Sequence, residues 1–426
     1  MVLTSKTADE LAVHATELEA AYQSLRGRNL AIDMTRGKPA PDQLDLADGL
    51  FSAVTPEDCI GEGGDDYRNY GIGAGIPEAR RFFAEYMDVS PAETIVAGNS
   101  SLSLMYETLA NATLFGMPGG EGPWKDQGTV RFLCPAPGYD RHFAICQRLG
   151  IEMVTVAMTD DGPDMDAVEA LVADDGSIKG IWCVPKYSNP TGAVYSSETV
   201  RRLASMNIKS SDFRILWDNA YAVHHLGDGP APLVNMLREC EKAGNPDRVL
   251  MFGSTSKITL AGSGVGVLAA SENNIADALK KMSFASIGPD KINQLRHVQF
   301  FGGVAGLLTH MDRLADLIRP KFEAVEEVLQ ARLGGTGVAE WAKPTGGYFV
   351  SVDVLDGCAA EVVRRAGDAG IKLTPAGASF PYGDDPRDRN IRLAPTMPSV
   401  DEIRQAMEVF CTCVEWVCSE RLVDGN

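Results

Sequence analysis

Apolar residues recur along the chain in two rhythms, one typical of helices and the other of buried strands. Near the amino terminus, Leu11, Leu18, Tyr22 and Leu25 are spaced by seven, four and three residues, which predicts an amphipathic helix. Further on, short runs are apolar almost throughout, as expected of strands buried on both faces of a parallel sheet. The seven predicted strands are residues 94–98, 130–135, 152–158, 178–185, 213–221, 249–254 and 265–271.

The segments between these strands have helical patterns, for example SLSLMYETLANATLF and YDRHFAICQRLG. Alternation of this kind predicts an α/β domain with helices on both faces of the sheet. After about Asp290 the pattern changes to a long helical stretch followed by mixed strands and helices, which predicts a smaller α+β unit. We therefore expect a large α/β domain at residues 46–305 and a small domain at 306–426. Residues 1–45 are expected to form a helix and an extended segment that pack with the small domain.

Composition narrows the possible functions. The 426 residues include 39 Lys and Arg against 58 Asp and Glu, a formal net charge of −19. Such acidity disfavours binding to nucleic acid and to anionic membranes, so neither is expected as a partner. No apolar run reaches the ~18 residues of a membrane span, and the first residues contain no signal-peptide core.

Cysteine usage indicates a reducing compartment. The nine cysteines are odd in number and include no C-x-x-C, so the sequence predicts free thiols and a cytoplasmic location. Cys411, Cys413 and Cys418 cluster near the carboxyl terminus, but no second ligand cluster accompanies them. No metal site is predicted.

Several common catalytic motifs are absent from the sequence. It contains no P-loop, no G-x-S-x-G elbow and no H-E-x-x-H pair. The glycine-rich GIGAGI at 71–76 fails the dinucleotide fingerprint, because Ile76 stands where the last glycine is needed.

Four short polar motifs instead follow predicted strands or join a strand to a helix. They are GNSS at 98–101, NPTG at 189–192, DNAY at 218–221 and STSK at 254–257. Open α/β sheets bind ligands at the carboxyl edge of their strands, so we expect the four motifs to meet there.

Together the motifs carry the groups that pyridoxal 5′-phosphate requires. Its aldehyde needs a lysine amine, its ring nitrogen a carboxylate, its phenolic oxygen hydrogen-bond donors, and its phosphate a helix amino terminus with hydroxyls. The predicted cofactor residues in these motifs are Lys257, Asp218, Asn189, Tyr221, Ser100, Ser101, Ser254 and Ser256.

These motifs, with DMTRGKP, YRNYGIGAGIPEAR and STSKITLAGSGVG, resemble the fold-type I pyridoxal-phosphate enzymes of the aminotransferase class I/II superfamily. The resemblance runs from TRGKP to RLAP, nearly the whole chain. Within the superfamily, the chain is similar to a divergent bacterial aspartate aminotransferase subgroup related to the aminotransferase domain of MocR-type regulators. The resemblance implies a large, mostly parallel seven-stranded sheet domain, a smaller α+β domain and a homodimer with shared active sites.

The resemblance also implies a role for individual residues. Lys257 would bind the cofactor aldehyde and move the substrate proton, Asp218 would pair with the ring nitrogen, and Tyr139 would stack on the ring. With Tyr221, Lys257 and Asp218 form the predicted catalytic set. Tyr70 would reach the phosphate in the partner subunit. The implied substrate-binding residues are Gly37, Asn189 and Arg392, the last forming a bidentate pair with the α-carboxylate.

One feature departs from the family pattern. An arginine usually follows the lysine by some eight residues and contacts the phosphate. Here the segment reads ITLAGSGVG, with Gly264 or its neighbour in that place, so the phosphate contact must come from elsewhere.

The implied reaction is transamination, with L-aspartate and 2-oxoglutarate giving oxaloacetate and L-glutamate. The alternatives are an aminotransferase for another amino acid, a pyridoxal-phosphate lyase or decarboxylase, and a non-catalytic regulator. A second carboxylate on the substrate needs a further cation, and the sequence does not choose among the candidates. These are Arg36, Arg141, Lys186 and, from the partner subunit, Lys291 or Arg296.

Overall fold

A computed structural model describes residues 2–227 and 229–425. Its helices are α1 (Ala8–Arg26), α2 (Pro41–Asp45), α3 (Pro77–Met87), α4 (Ser101–Phe115), α5 (Asp140–Leu149), α6 (Met165–Asp174), α7 (Ser197–Ser205), α8 (Met236–Lys242), α9 (Glu272–Met282), α10 (Lys291–Phe301), α11 (Val304–Arg332), α12 (Ala359–Asp368) and α13 (Val400–Gly425). Its strands are β1 (Ile32–Asp33), β2 (Thr94–Val96), β3 (Arg131–Ala136), β4 (Glu152–Thr159), β5 (Gly162–Pro163), β6 (Ile178–Cys183), β7 (Arg214–Asp218), β8 (Val249–Ser254), β9 (Gly266–Ala270), β10 (Ala339–Trp341), β11 (Val350–Val354), β12 (Ile371–Lys372) and β13 (Asn390–Leu393).

The large sheet has the order β2-β9-β8-β7-β6-β3-β4-β5. Strands β4, β3, β6, β7 and β8 run parallel, while β9 is antiparallel to both of its neighbours. Every residue of β6, β7 and β9 is buried, which explains why these strands read as continuous apolar runs. All seven predicted strands are present.

The eighth strand, β5, was not predicted from the sequence. It consists of two residues and pairs antiparallel with the end of β4, with Met158 opposite Pro163. A segment this short, half of it proline, carries no strand pattern.

Two smaller sheets lie outside the large one. Strands β10, β11 and β13 form an antiparallel sheet, and β1 pairs in parallel with β12, joining the amino-terminal segment to the carboxyl-terminal part. The predicted amphipathic helix is confirmed as α1, which packs along α13 and buries all four predicted apolar residues. The ring of Tyr22 lies 5.1 Å from that of Trp416. Domain boundaries at residues 45 and 305 remain a prediction.

None of the helices within residues 2–227 and 229–425 combines the length and apolar character needed to cross a membrane.

Candidate active site

The four polar motifs meet at one cavity at the carboxyl edge of the large sheet. NPTG follows β6, while β7 and β8 end at Asp218 and Ser254, the first residues of DNAY and STSK. GNSS joins β2 to α4. The cavity has a volume of about 220 Å³, and its walls include nine predicted site residues. These are Ser100, Ser101, Tyr139, Asn189, Asp218, Tyr221, Ser254, Ser256 and Lys257.

The amino terminus of α4 supplies one wall of this cavity. Gly98 has a positive φ of 65°, which turns the chain from β2 into the helix. Ser100 is the N-cap, and its hydroxyl accepts a hydrogen bond from Ser103 N at 3.4 Å. Free backbone N–H groups and the helix dipole make such a terminus suitable for an anion such as a phosphate.

A second wall carries the buried carboxylate of Asp218, at the end of β7. Its Oδ2 accepts a hydrogen bond from His142 Nε2 at 3.1 Å, whereas its buried Oδ1 has no partner among the described residues. The His142 ring stacks on Trp182, with centroids 4.1 Å apart and planes 6° from parallel. Asp218 can therefore accept one further N–H, as the protonated ring nitrogen of pyridoxal phosphate would require.

Lys257 follows β8 and is half-buried against the cavity. Its amine lies 5.0 Å from the ring centroid of Tyr221. Burial lowers the pKa of Lys257, and the negative charge of Asp218 opposes this only in part. A lowered pKa increases the fraction of neutral amine, which is the nucleophilic form.

The two tyrosines of the cavity remain protonated at neutral pH. Burial raises the pKa of Tyr139 to about 12 and that of Tyr221 well above its ordinary value. Each therefore keeps a hydroxyl that can donate a hydrogen bond.

Arg392, on β13, lies beside the cavity and is buried. It donates from Nη1 to Asp140 Oδ1 at 2.9 Å and to Asn189 Oδ1 at 3.2 Å, and from Nη2 to Thr374 Oγ1 at 3.3 Å. Its Nε has no partner among the described residues. Asn189 thus links the guanidinium to the cavity.

Gly37 lies outside the cavity walls but near Arg392. The guanidinium carbon of Arg392 is 5.0 Å from the ring centroid of Phe349. A Cβ on Gly37 would lie 3.0 Å from Cζ of the same ring and 2.9 Å from Tyr348 Cδ2. Phe349 therefore lies close to both Gly37 and Arg392, and a side chain at position 37 would disturb it.

The structure does not bring every predicted residue to the cavity. Tyr70 is 81% exposed and lies outside it, as do all five candidate cations for a second carboxylate. Lys291 Nζ donates to Gly71 O at 3.2 Å, and Arg296 Nη2 donates to Asn293 Oδ1 at 2.6 Å. Lys186 is buried, which lowers its pKa, and the other two candidates are exposed or half-buried.

Gly264, which stands at or next to the place of the family arginine, is closely surrounded by backbone. A Cβ at this residue would lie 2.8 Å from Asn99 O and 3.2 Å from Ser256 N. The segment therefore passes directly between the GNSS and STSK motifs, and a large side chain cannot be accommodated there. Lys257 is the one cationic side chain among the cavity residues that the structure describes.

Sequence reasoning missed His142, Trp182 and Asp140. His142 stands three residues after Tyr139, one helical turn away, so that spacing was a usable signal. For Trp182 and Asp140, no local pattern distinguishes the residue from an ordinary core or helix-cap residue.

Comparison with known proteins identifies the family. Residues 6–426 match the family model described as aspartate amino-transferase. A Mycolicibacterium smegmatis protein described as an aminotransferase is 50% identical over 418 residues, 97% of each chain. An aspartate aminotransferase of Corynebacterium glutamicum is 43% identical over 414 residues, covering 97% of this chain and 95% of that one.

The fold agrees with these sequence matches. The crystal structure of an aspartate transaminase from Corynebacterium glutamicum superposes with a TM-score of 0.97 at 41% identity and covers 99% of each chain. The predicted fold-type I class, with its large, mostly parallel sheet, is thereby confirmed. The chain belongs to the aspartate amino-transferase family and is an aminotransferase.

Proposed function

We propose that the protein binds pyridoxal 5′-phosphate in the 220 Å³ cavity and transfers the amino group of L-aspartate to 2-oxoglutarate. The observation that carries the proposal is the unpartnered Oδ1 of Asp218 in the same cavity as Lys257. A buried carboxylate oxygen without a donor is costly unless a ligand supplies one. When bound, the cofactor would supply an aldehyde that reacts with amines and a ring that accepts electron density.

Lys257 is the proposed base. Because burial lowers its pKa, its amine can take the proton from the substrate Cα and return it at the neighbouring reacting carbon. Asp218 would keep the ring nitrogen protonated. The hydrogen bond from His142 to its other oxygen would orient the carboxylate. Asn189 and Tyr221 would donate to the phenolic oxygen, and Tyr139 would cover one face of the ring.

The phosphate would be held without a resident arginine. The amino terminus of α4 contributes Ser100 and Ser101, and the STSK segment contributes Ser254 and Ser256. These groups supply hydroxyls and backbone N–H donors close to the positive end of a helix dipole.

The substrate α-carboxylate is assigned to Arg392 and the N–H of Gly37. Arg392 presents a planar fork that binds a carboxylate through two parallel hydrogen bonds, and its Nε is free for one of them. Its Nη1 donates to Asp140 and Asn189. Specificity for L-aspartate is proposed because the relatives at 43% and 41% identity are named as an aspartate aminotransferase and an aspartate transaminase.

A homodimer is proposed because the described residues of the cavity offer no cation for a second carboxylate, while a nearby surface exposes large apolar side chains. Tyr70 is 81% exposed and Ile287 68% exposed. The adjoining residues Gly71 and Gly288 lie so close that a Cβ on Gly288 would clash with Gly71 O, so the two exposed residues belong to neighbouring segments. This surface would bring Tyr70 to the partner's phosphate. A cytoplasmic location is proposed because all nine cysteines are free and buried, as expected in a reducing compartment.

The test is an absorbance titration of the purified protein with pyridoxal 5′-phosphate. We expect a band near the visible edge that L-aspartate bleaches and 2-oxoglutarate restores, and no such band in Lys257→Ala. Bleaching by another amino acid but not by L-aspartate would refute the substrate assignment. Release of ammonia or CO2 would refute transamination, and a missing band would refute the cofactor assignment.

A further inference from the structure

Three of the six histidines converge on the segment that carries Lys257. They come from separate parts of the chain, the turn after β7, helix α10 and helix α11, and each is at most 4% exposed. None of them lines the proposed cofactor cavity. The three residues are His224, His297 and His310.

The segment they contact is a single helical turn. Thr255 O accepts hydrogen bonds from Ile258 N at 2.9 Å and Thr259 N at 3.0 Å, and the chain does not continue into a helix. The following carbonyl groups, of Lys257 and Ile258, have no backbone N–H partner in the described chain. Buried carbonyl groups without a backbone N–H partner must find side-chain donors instead.

Two histidines and a tyrosine supply those donors. His224 Nε2 donates to Lys257 O at 3.2 Å, and Tyr348 Oη donates to the same oxygen at 3.1 Å. His310 Nε2 donates to Ile258 O at 2.7 Å. Because a carbonyl oxygen only accepts, Nε2 must carry the proton in both rings.

The third histidine binds both threonines that flank the lysine. His297 Nδ1 donates to Asn293 O at 2.8 Å, so its Nε2 is an acceptor. The hydroxyls of Thr259 and Thr255 lie 2.9 and 3.2 Å from this Nε2. The two hydroxyls share the single lone pair of this Nε2, and that of Thr259 is the nearer. The Thr255 hydroxyl also accepts from Val265 N at 2.9 Å, and Thr259 Oγ1 lies 3.3 Å from Thr255 O.

All three rings are held in the neutral form. Burial lowers the pKa of His224 to about 3 and of His297 to about 4, and it also lowers that of His310. The Nδ1 atoms of His224 and His310 are buried without a partner among the described residues, so a second proton would have no acceptor there. Each ring therefore keeps one tautomer and one hydrogen-bond pattern.

We propose that His224, His297 and His310 are positioning residues that fix the backbone of the Lys257 turn. The inference rests on the proposed function, in which the Lys257 amine must move a proton from one carbon atom of the bound reactants to another. A lysine side chain has four flexible bonds, so the accuracy of that transfer depends on where its Cα is held. Tyr348 and His310 extend this support to the segment before β11 and to α11.

The experiment compares His310→Leu with His310→Gln, and His224→Leu with His224→Gln. Glutamine keeps an N–H donor, whereas leucine leaves the carbonyl without one. Steady-state kinetics with L-aspartate, the pH titration of the bound cofactor's absorbance and the thermal midpoint are measured for each. We expect the leucine variants to lose roughly ten- to a hundredfold in kcat, with a smaller change in KM and a shifted absorbance titration. The glutamine variants should recover most of the wild-type kcat and most of the wild-type absorbance titration.

His225→Gln is the matched control. This neighbouring histidine lies 3.6 Å from Asp312, and no hydrogen bond among the described residues joins its side chain to the lysine turn, so kcat and the titration should stay at wild-type values. Thr259→Val and Thr259→Ser test the contact between His297 and the lysine turn with little change in side-chain volume. They also provide a test if the leucine variants do not fold. The valine variant should behave like His310→Leu and the serine variant like wild type.

The outcomes separate this inference from the proposed function. Wild-type protein that forms no absorbance band with pyridoxal 5′-phosphate would overturn both. A normal wild type, together with leucine and valine variants that lose only thermal stability and keep the wild-type kcat and titration, would overturn the positioning role alone.

Discussion

His142 Nε2 lies 3.1 Å from Asp218 Oδ2, and this contact leaves the other oxygen of the carboxylate without a partner among the described residues. Trp182 holds the imidazole from one face at a centroid distance of 4.1 Å. These contacts fix the orientation of the carboxylate. Preorganised charges of this kind are effective in catalysis because they need not rearrange during the reaction.

Replacing Asp218 with asparagine tests the importance of this charge. Asp218→Asn keeps the shape of the side chain but cannot stabilise a positive charge on the ring nitrogen. We expect kcat to fall by roughly a hundredfold or more with L-aspartate and saturating cofactor, measured by steady-state kinetics. Asp212→Asn, which alters a buried carboxylate two residues before β7, should lower the thermal midpoint but not kcat. Wild-type turnover in Asp218→Asn would contradict the assignment.

Arg392 is expected to determine substrate affinity through its geometry as well as its charge. Arg392→Lys keeps the positive charge but removes the planar fork, and lysine cannot replace the contacts to both Asn189 and Thr374. A charged hydrogen bond contributes about 1.5–3 kcal/mol, so kcat/KM for L-aspartate should fall roughly ten- to a hundredfold, mainly through KM.

The neighbouring Arg389 provides the control for this substitution. It precedes β13 and faces Asp353 at 3.4 Å, on a partly exposed surface away from the cavity. Arg389→Lys should therefore leave kcat/KM close to the wild-type value. An Arg392→Lys enzyme with unchanged KM would show that the α-carboxylate binds elsewhere.

The sequence predicted those parts of the fold and the site that depend on local patterns. Strands β6, β7 and β9 were found because burial on both faces makes them continuously apolar. The order and strand-end placement of the four motifs predicted that they would meet, because parallel strands end at one edge of a sheet.

The remaining features depend on contacts between distant residues, which no local pattern reports. Asp218 and His142 are separated by 76 residues, and Arg392 and Asp140 by 252. The same holds for His310, which contacts a carbonyl 52 residues away. In the sequence, a histidine on an apolar helix face cannot be told apart from an ordinary core residue. Only the hydrogen-bond partner seen in the structure, here Ile258 O, distinguishes His310.

The buried histidines should make the cofactor-free protein sensitive to mild acid. The folded-state pKa values of His224 and His297 are about 3 and about 4, below the ordinary 6.5 of the unfolded chain. Below pH 6.5 the unfolded state therefore binds more protons, so stability is present above that pH and is lost as pH falls toward 4. Each histidine adds a slope of about 1.4 kcal/mol per pH unit within this window.

Denaturant unfolding between about pH 5 and 7 measures this effect, because most carboxylates titrate at lower pH. His224→Gln should be less stable than wild type at pH 7 but should show a smaller loss of stability on acidification. Equal pH dependence in the two proteins would mean that His224 binds its proton as readily in the folded chain as in the unfolded chain, which would contradict the lowered pKa.

Gly264 should control cofactor affinity, because its missing side chain lets the GNSS and STSK segments approach each other. Ser256 Oγ donates to Asn99 O at 3.3 Å across this gap, and a Cβ on Gly264 would lie 2.8 Å from the same carbonyl oxygen. Gly264→Ala should therefore separate the two segments that hold the phosphate. Fluorescence titration should show a Kd for pyridoxal 5′-phosphate that is raised roughly tenfold, equivalent to about 1.4 kcal/mol.

Gly262→Ala is the matched control, because a Cβ there meets nothing within 4 Å. Pyridoxal without its phosphate should bind the Gly264→Ala and wild-type proteins with similar affinity; an equal loss for both ligands would place the disturbance away from the phosphate.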